Sequence, residues 1–285
     1  MNLLITGSNG QLGNEIRTLA SQYNSVNFIF TDVAELDITN ASAVNQFCSE
    51  HQIEGIINCA AYTAVDKAES DVELASRINE IGPANLANAA KTLDAKMIQV
   101  STDYVFNGYS YVPLKESDAI DPIGVYGKTK ADGETAVISS GADAIVIRTS
   151  WLYSSFGNNF VKTIRKYGSE RGQLKVVFDQ VGTPTYARDL AKCCLDIITG
   201  TDRISAKGNI YHYSNEGAIS WFDFAHAIIE ISEIECAIEP VDSSQFQTAA
   251  RRPNYSVMDK SKIKSDFNTI IPYWRDSLKE CISLL

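Results

Sequence analysis

Residues 125–134, VYGKTKADGE, set Tyr126 four positions before Lys130 with no proline between them. On a helix, positions i and i+4 share a face, so this spacing brings a phenol and an ammonium together. An ordinary phenol, with a pKa of ~10, is a sluggish proton donor or base near neutrality. A neighbouring cation favours the phenolate and lowers that value. The pair therefore suits the proton transfer that accompanies hydride delivery to a ketone. A second pair, Tyr111 and Lys115, encloses Pro113, which breaks a helix interior. Upstream, the apolar run KMIQVS leads into Thr102 and Asp103. A threonine hydroxyl at a strand end could hydrogen-bond a substrate oxygen as charge develops on it.

The opening of the chain supplies what such chemistry needs next. LLITGSNGQLG carries Gly7, Gly10 and Gly13 after an apolar run and before a periodic one. Glycines placed so permit a tight turn, close approach of a phosphate to the backbone, and close helix–strand packing. The freed N–H groups and the helix dipole then favour an anion. Asp32 closes the second apolar run, nineteen positions after Gly13. An acid there can accept hydrogen bonds from a ribose hydroxyl, and it also suits a plain turn. No lysine or arginine stands at 31–39 or within GSNGQLG to meet a 2′-phosphate. The local chemistry leans toward NADH.

Five short apolar runs, at 2–6, 26–30, 55–60, 96–101 and 144–149, read as parallel strands covered on both faces. Helical periodicity fills the gaps at 11–22, 40–51, 71–92 and 124–139. This alternation predicts an α/β fold, a doubly wound parallel sheet of Rossmann type. Past Trp151 the texture changes: 158–171 and 220–233 read as helices among irregular loops, a smaller mixed α/β C-terminal substrate lobe. The expected division is 1–150 for dinucleotide binding, with a contribution from about 180–215, and 151–179 with 216–285 for substrate. Ligands of open α/β sheets bind beyond the carboxyl ends of the strands, so the lobe would form the far wall of a cleft.

Bulk composition narrows the classes. A chain of 285 residues, 45% hydrophobic, can bury a sizeable core. Its net charge of −10 opposes a duplex nucleic-acid partner. No apolar run approaches the ~18 residues of a membrane span, and the N-terminus does not read as a signal peptide. Six cysteines without a CxxC pair, and three scattered histidines, read as reduced thiols in a cytoplasmic protein rather than as disulfides or a metal set.

Taken together, TGSNGQLG, NCAAYTAVDKAE, STDYVF, YGKTK and RTSWLY resemble the extended short-chain dehydrogenase/reductase superfamily. More narrowly they resemble the dTDP-4-dehydrorhamnose reductase family, from residue 1 to about 190 and again at ARRPNYS. The resemblance implies reduction of a dTDP-4-keto sugar by NADPH or NADH. It makes Tyr126 the proton donor, Lys130 its tuner and ribose ligand, and Thr102 the carbonyl partner. Gly10, Gln11 and Leu12 would hold pyrophosphate; Asp32 the adenosine ribose; Asp37 and Ile38 the adenine. Ala61, Tyr62 and Thr63 would line the middle of the cofactor. Thr102, Asp103 and Trp151 would touch the sugar nucleotide, although Trp151 also suits a core. Arg252, with Arg251, could neutralise a diphosphate or form a solvated turn. Some relatives use Mg²⁺ at a homodimer contact, and Glu15 matches one such position. Three rival readings remain: a dehydratase, an epimerase and a non-catalytic cofactor-binding subunit. Dehydratases typically follow the threonine with Asp–Glu, and here Tyr104 follows Asp103.

Overall fold

The computed structural model describes residues 1–201, 204–207, 210–246 and 248–285. Its centre is a parallel six-stranded sheet. Five strands come from the first half: β1 (Asn2–Thr6), β2 (Asn27–Phe30), β3 (Gly55–Asn58), β4 (Lys96–Thr102) and β5 (Asp143–Thr149). The rest of the chain contributes the short strands β6 (Leu152–Tyr153), β7 (Gln173–Val177), β8 (Val181–Gly182) and β9 (Thr185–Tyr186), then β10 (Ile210–His212), which is the sixth strand of the sheet, β11 (Ile219–Ser220) and β12 (Ala237–Val241). The order β10-β5-β4-β3-β1-β2 makes β2 and β10 the edges. The winding reverses between β1 and β3, where open α/β sheets hold their ligands.

Side chains alternate across each strand, so two cores form. Leu3 and Ile5 face the helices α1 (Gln11–Leu19) and α8 (Ala187–Ile198). Leu4 and Ile56 face α2 (Ala41–Glu50) and α5 (Gly82–Leu93). Between α2 and α5 lie the short helices α3 (Val65–Ala68) and α4 (Val72–Ser76). The sequence assigned no helix to 187–198, yet α8 packs beside α1 on that face of the sheet and buries Cys193 and Cys194. The expected strands recur within two residues, but β2 is only partly buried because it is an edge.

The helix expected over 71–92 is interrupted. Between α4 and α5 the backbone widens into a π turn, Arg77–Ile81. Pro83 explains it: proline has no N–H to give the Asn79 carbonyl, and its ring crowds that oxygen. π turns of this kind recur at functional sites. Here the turn seats α6 (Val125–Ser139), the helix of Tyr126 and Lys130. The Asn79 amide donates to Thr129 Oγ1 at 3.1 Å. A Cβ on Gly133 would stand 2.0 Å from the Asn79 carbonyl oxygen, so glycine is required for that approach. The N-terminus of α6 has no side-chain cap of its own; Glu69 accepts the Val125 N–H at 2.9 Å and places its charge at the positive end of the helix dipole.

The lobe packs α7 (Phe160–Arg171), α9 (Trp221–Ile231) and α11 (Trp274–Ile282) around Tyr153, Phe224 and Trp274. β7 and β12 pair in parallel beside them, and α10 (Ser261–Phe267) lies near β10. A capping box fixes the start of α9: the Ser220 hydroxyl and the Asp223 carboxylate each bond the other's backbone N–H.

Candidate active site

A cavity of about 730 Å³ opens at the carboxyl ends of β1, β3, β4 and β5. Gly7, Gly10, Gln11 and Leu12 line one end of it. Gly7 has φ +62°, and a Cβ there would lie 2.6 Å from the Ala60 Cα. Gly13 lies outside the cavity and serves packing instead, since its Cβ would meet Ser8 Cα at 2.5 Å. Asp32, Asp37 and Ile38 line the adjoining wall. The Asp32 carboxylate accepts the Asn9 N–H at 3.0 Å, tying the end of β2 to the glycine loop.

Ala61 and Thr63 reach the middle of the cavity. Tyr62 does not, contrary to expectation. Its N–H and carbonyl are both held by the Asn79 side chain, and its phenol turns away to Asp71 Oδ2 at 2.9 Å.

Thr102, Asp103, Tyr126 and Lys130 line the cavity further along, and Trp151 lines it too. Lys130 is buried and donates to the Val100 carbonyl at 2.7 Å. Burial pushes its ammonium down to about 8, against the opposing pull of Glu134 and Cys59. The sequence predicts a lowered Tyr126 pKa; the structure corrects this. Burial raises the phenol to about 12, the Thr102 hydroxyl pulls it down, and Asp103 adds to the rise. Desolvation of the anion is the largest influence, and the lowering one comes from the Thr102 hydroxyl rather than from Lys130. At neutral pH the site thus holds a protonated phenol, the form that can give a proton. Asp103 Oδ1 accepts the Thr102 hydroxyl at 3.1 Å. Its other oxygen is left without a full hydrogen bond, although Ser256 lies beside it. Burial holds this carboxyl up at about 6, and its open oxygen is suited to a sugar hydroxyl.

Two groups escaped the sequence reading. Glu134, a further helical turn beyond Lys130, forks onto the buried Arg148 at 2.7 Å and accepts the Ser101 hydroxyl at 2.5 Å. The i, i+4, i+8 spacing of Tyr126, Lys130 and Glu134 was available as a signal. Trp221 also lines the cavity, stacked on Trp151 with ring centroids 3.6 Å apart and planes 11° from parallel. Trp151 itself has φ +48°, a conformation costly for a bulky residue and concentrated at functional sites. Only the helix start at Ser220 was readable for Trp221; its arrival against Trp151 is a matter of lobe packing.

Three expected residues stand elsewhere. Arg252 forks onto Asp66, at 2.7 and 3.0 Å, and is not on the cavity wall. Arg251 lies over the Tyr109 ring and contacts its hydroxyl. The nearby acid and phenol take up both guanidinium groups. Glu15 is fully buried, accepting Ser154 Oγ at 2.6 Å and Arg188 Nε at 2.9 Å. A guanidinium already neutralises it, so Glu15 does not fit a Mg²⁺ ligand. Among the described residues no three His, Cys, Asp or Glu side chains gather to hold an ion. All six cysteines are free; Cys59, at the cavity wall, is pushed up to about 12 by burial, which leaves it an inert thiol.

A glycine turn, an acid at the end of β2 and a Thr–Tyr–Lys set in one cavity define a dinucleotide-dependent oxidoreductase of the extended short-chain dehydrogenase/reductase class. Comparison with known proteins carries the assignment further. The RmlD substrate binding domain family matches residues 1–285. The dTDP-4-dehydrorhamnose reductase of Aggregatibacter actinomycetemcomitans is 39% identical, over 97% of each chain. The crystal structure of a dTDP-4-dehydrorhamnose reductase from Clostridium acetobutylicum superposes with a TM-score of 0.95 at 44% identity, covering 100% of this chain and 99% of that one. That of the Bacillus anthracis enzyme, in complex with NADP, gives a TM-score of 0.94 at 37% identity over 100% and 99%. The chain belongs to the dTDP-4-dehydrorhamnose reductase family. No helix among the described residues is long and apolar enough to cross a membrane.

Proposed function

We propose that this protein reduces the C4 ketone of dTDP-4-dehydro-β-L-rhamnose to give dTDP-L-rhamnose, the last step of dTDP-rhamnose biosynthesis. NAD(P)H, when bound, supplies the hydride that C4 receives. Tyr126 gives its phenolic proton to the C4 oxygen. The Thr102 hydroxyl, now spent on Asp103, turns to that oxygen as charge develops on it. Lys130 stabilises the phenolate left behind, and the same ammonium holds the cofactor ribose. Asp103 receives a sugar hydroxyl, and the Trp151–Trp221 pair forms the wall against the sugar.

The observation that carries this reading is the convergence of Thr102, Tyr126 and Lys130 on the cavity that also contains the glycine turn. Family membership supplies the substrate. We read 1–150 with about 180–215 as the cofactor domain; the packing of α8 on α1 and of β10 on β5 supports that division. Six free thiols suit a cytoplasmic setting.

The test is absorbance at 340 nm with purified protein, the 4-keto sugar nucleotide, and NADH or NADPH in parallel. A decay with either cofactor, and rhamnose as the product by NMR, is expected. A flat trace with folded protein and verified substrate would favour the binding-subunit reading.

A further inference from the structure

We propose that Arg17, with Ser8 beside it, forms a subsite for the 2′-phosphate of NADPH, so that the chain accepts a phosphorylated adenosine next to Asp32. This rests on the reading of the cavity as a nicotinamide-dinucleotide site. The sequence around Asp32 leans toward NADH because residues 31–39 contain no cation. The fold supplies one from the second turn of α1. The Arg17 guanidinium lies over the Phe30 ring, 4.0 Å from its centroid, and its Nη2 donates to Ser8 Oγ at 3.3 Å.

Strand pairing continues past β2, since the Thr31 N–H donates to the Ile5 carbonyl at 2.9 Å. Alternation then puts Phe30 and Asp32 on one side, with Cα atoms about 7 Å apart. The next residue after Ser8, Asn9, gives its N–H to Asp32 Oδ2 at 3.0 Å. Phe30 and Ser8 therefore both hold the guanidinium at the strand end where Asp32 meets the glycine loop, just outside the cavity that Asp32 lines. Among the described residues no carboxylate lies within ion-pair distance of Arg17, which leaves its fork available.

A ribose 2′-hydroxyl needs only the Asp32 carboxylate as acceptor. A 2′-phosphate brings further negative charge against that carboxylate and needs a cation. Arginine's planar fork matches phosphate oxygens two at a time. One other arginine is a candidate: Arg77 donates to Thr39 Oγ1 at 3.2 Å, and Thr39 lies at the cavity wall beyond Asp37 and Ile38. That places Arg77 with the residues expected at the adenine, whereas Arg17 shares the strand end with Asp32.

Calorimetric titration of wild type, R17Q and R77Q with NADP⁺ and NAD⁺ separates the two, with adenosine 2′,5′-bisphosphate and 5′-AMP as short probes. Binding is read without turnover. R17Q should weaken NADP⁺ and the bisphosphate by roughly tenfold to a hundredfold, the loss of one charge-assisted pair. NAD⁺ and 5′-AMP should change by less than about twofold in R17Q, and R77Q should leave the NADP⁺/NAD⁺ ratio as in wild type. Added salt should weaken NADP⁺ more in wild type than in R17Q. Equal losses for both dinucleotides in R17Q, no loss at all, or loss of the preference in R77Q instead would each overturn the assignment. Failure of folded wild type to bind either dinucleotide would overturn the cofactor-site reading on which it rests.

Discussion

The inner wall of the cavity is made by the loops that leave β1, β2, β3 and β4 at their carboxyl ends, each held to the sheet by the strand before it, and by the first turns of α6. The outer wall is made by two tryptophans, Trp151 and Trp221, which meet only because the lobe folds back over the sheet. The first wall is fixed by contacts among neighbouring strand ends and the turns that follow them: Gly7 against Ala60, Asp32 against Asn9, the Thr102 hydroxyl against the Tyr104 N–H. The second is fixed by contacts between remote parts of the chain. Proton and hydride transfer belong on the wall braced by the sheet, and selection of a sugar on the wall that the two tryptophans make. Changes on the inner wall should therefore act on rate and cofactor, and changes on the outer wall on sugar-nucleotide affinity.

The largest effect should come from Tyr126→Phe, which removes the proton donor and keeps the ring that packs on Tyr104. Turnover should fall by roughly 10²–10⁴-fold, with cofactor affinity changed by less than about twofold, as single-turnover kinetics and titration would show. Full activity in this variant would remove Tyr126 from the role. Next, Lys130→Met should lose both rate and cofactor affinity, each by about tenfold or more. An effect confined to rate would break its link to the ribose.

On the outer wall, Trp221→Ala should raise the KM for the sugar nucleotide by about tenfold while cofactor dissociation constants stay put. If cofactor binding suffered equally, the two walls would not be separate, and the comparison would fail. The smallest effect is in pH. The ammonium of Lys130 is the working form, and burial lowers it to about 8. The rate should therefore hold below that value and fall as pH rises through it. Tyr126, raised to about 12, stays protonated throughout and does not set the limb. Lys130→Arg, if active, should erase the alkaline fall, because arginine keeps its charge; a fall unchanged in that variant would assign it to another group.

Most of the inner wall was legible in the sequence because its signals are short-range: glycines in a βα turn, an acid at a strand end, a Tyr–Lys pair one helical turn apart. What failed there failed for electrostatic or backbone reasons. Tyr62 sits inside a recognisable motif, yet the Asn79 side chain turns it outward. The lysine was expected to lower the Tyr126 pKa, but burial of the phenol dominates. Arg252 looked like an anion ligand until Asp66, remote in sequence, proved to hold its fork. Glu15 looked like a metal ligand until Arg188 arrived from α8. Each correction involves a partner supplied by the tertiary fold. The same holds for Trp221 and Arg17, whose neighbours in space are distant in the chain. The break in the 71–92 helix is the exception: the expectation ran one helix across Pro83, a signal present in the sequence itself, and only the fold shows the turn seating α6 at Gly133.

The central claim is that hydride is delivered to C4 of the sugar while Tyr126 supplies the proton. The most direct test is turnover of the dTDP-4-keto sugar with reduced cofactor dideuterated at C4 of its nicotinamide ring, read by NMR of the product. One deuterium at C4 of the 6-deoxy sugar is expected, with loss of its C4 proton signal and solvent hydrogen only on oxygen. A product carrying protium at C4, or a changed sugar formed with no net oxidation of the cofactor, would contradict it.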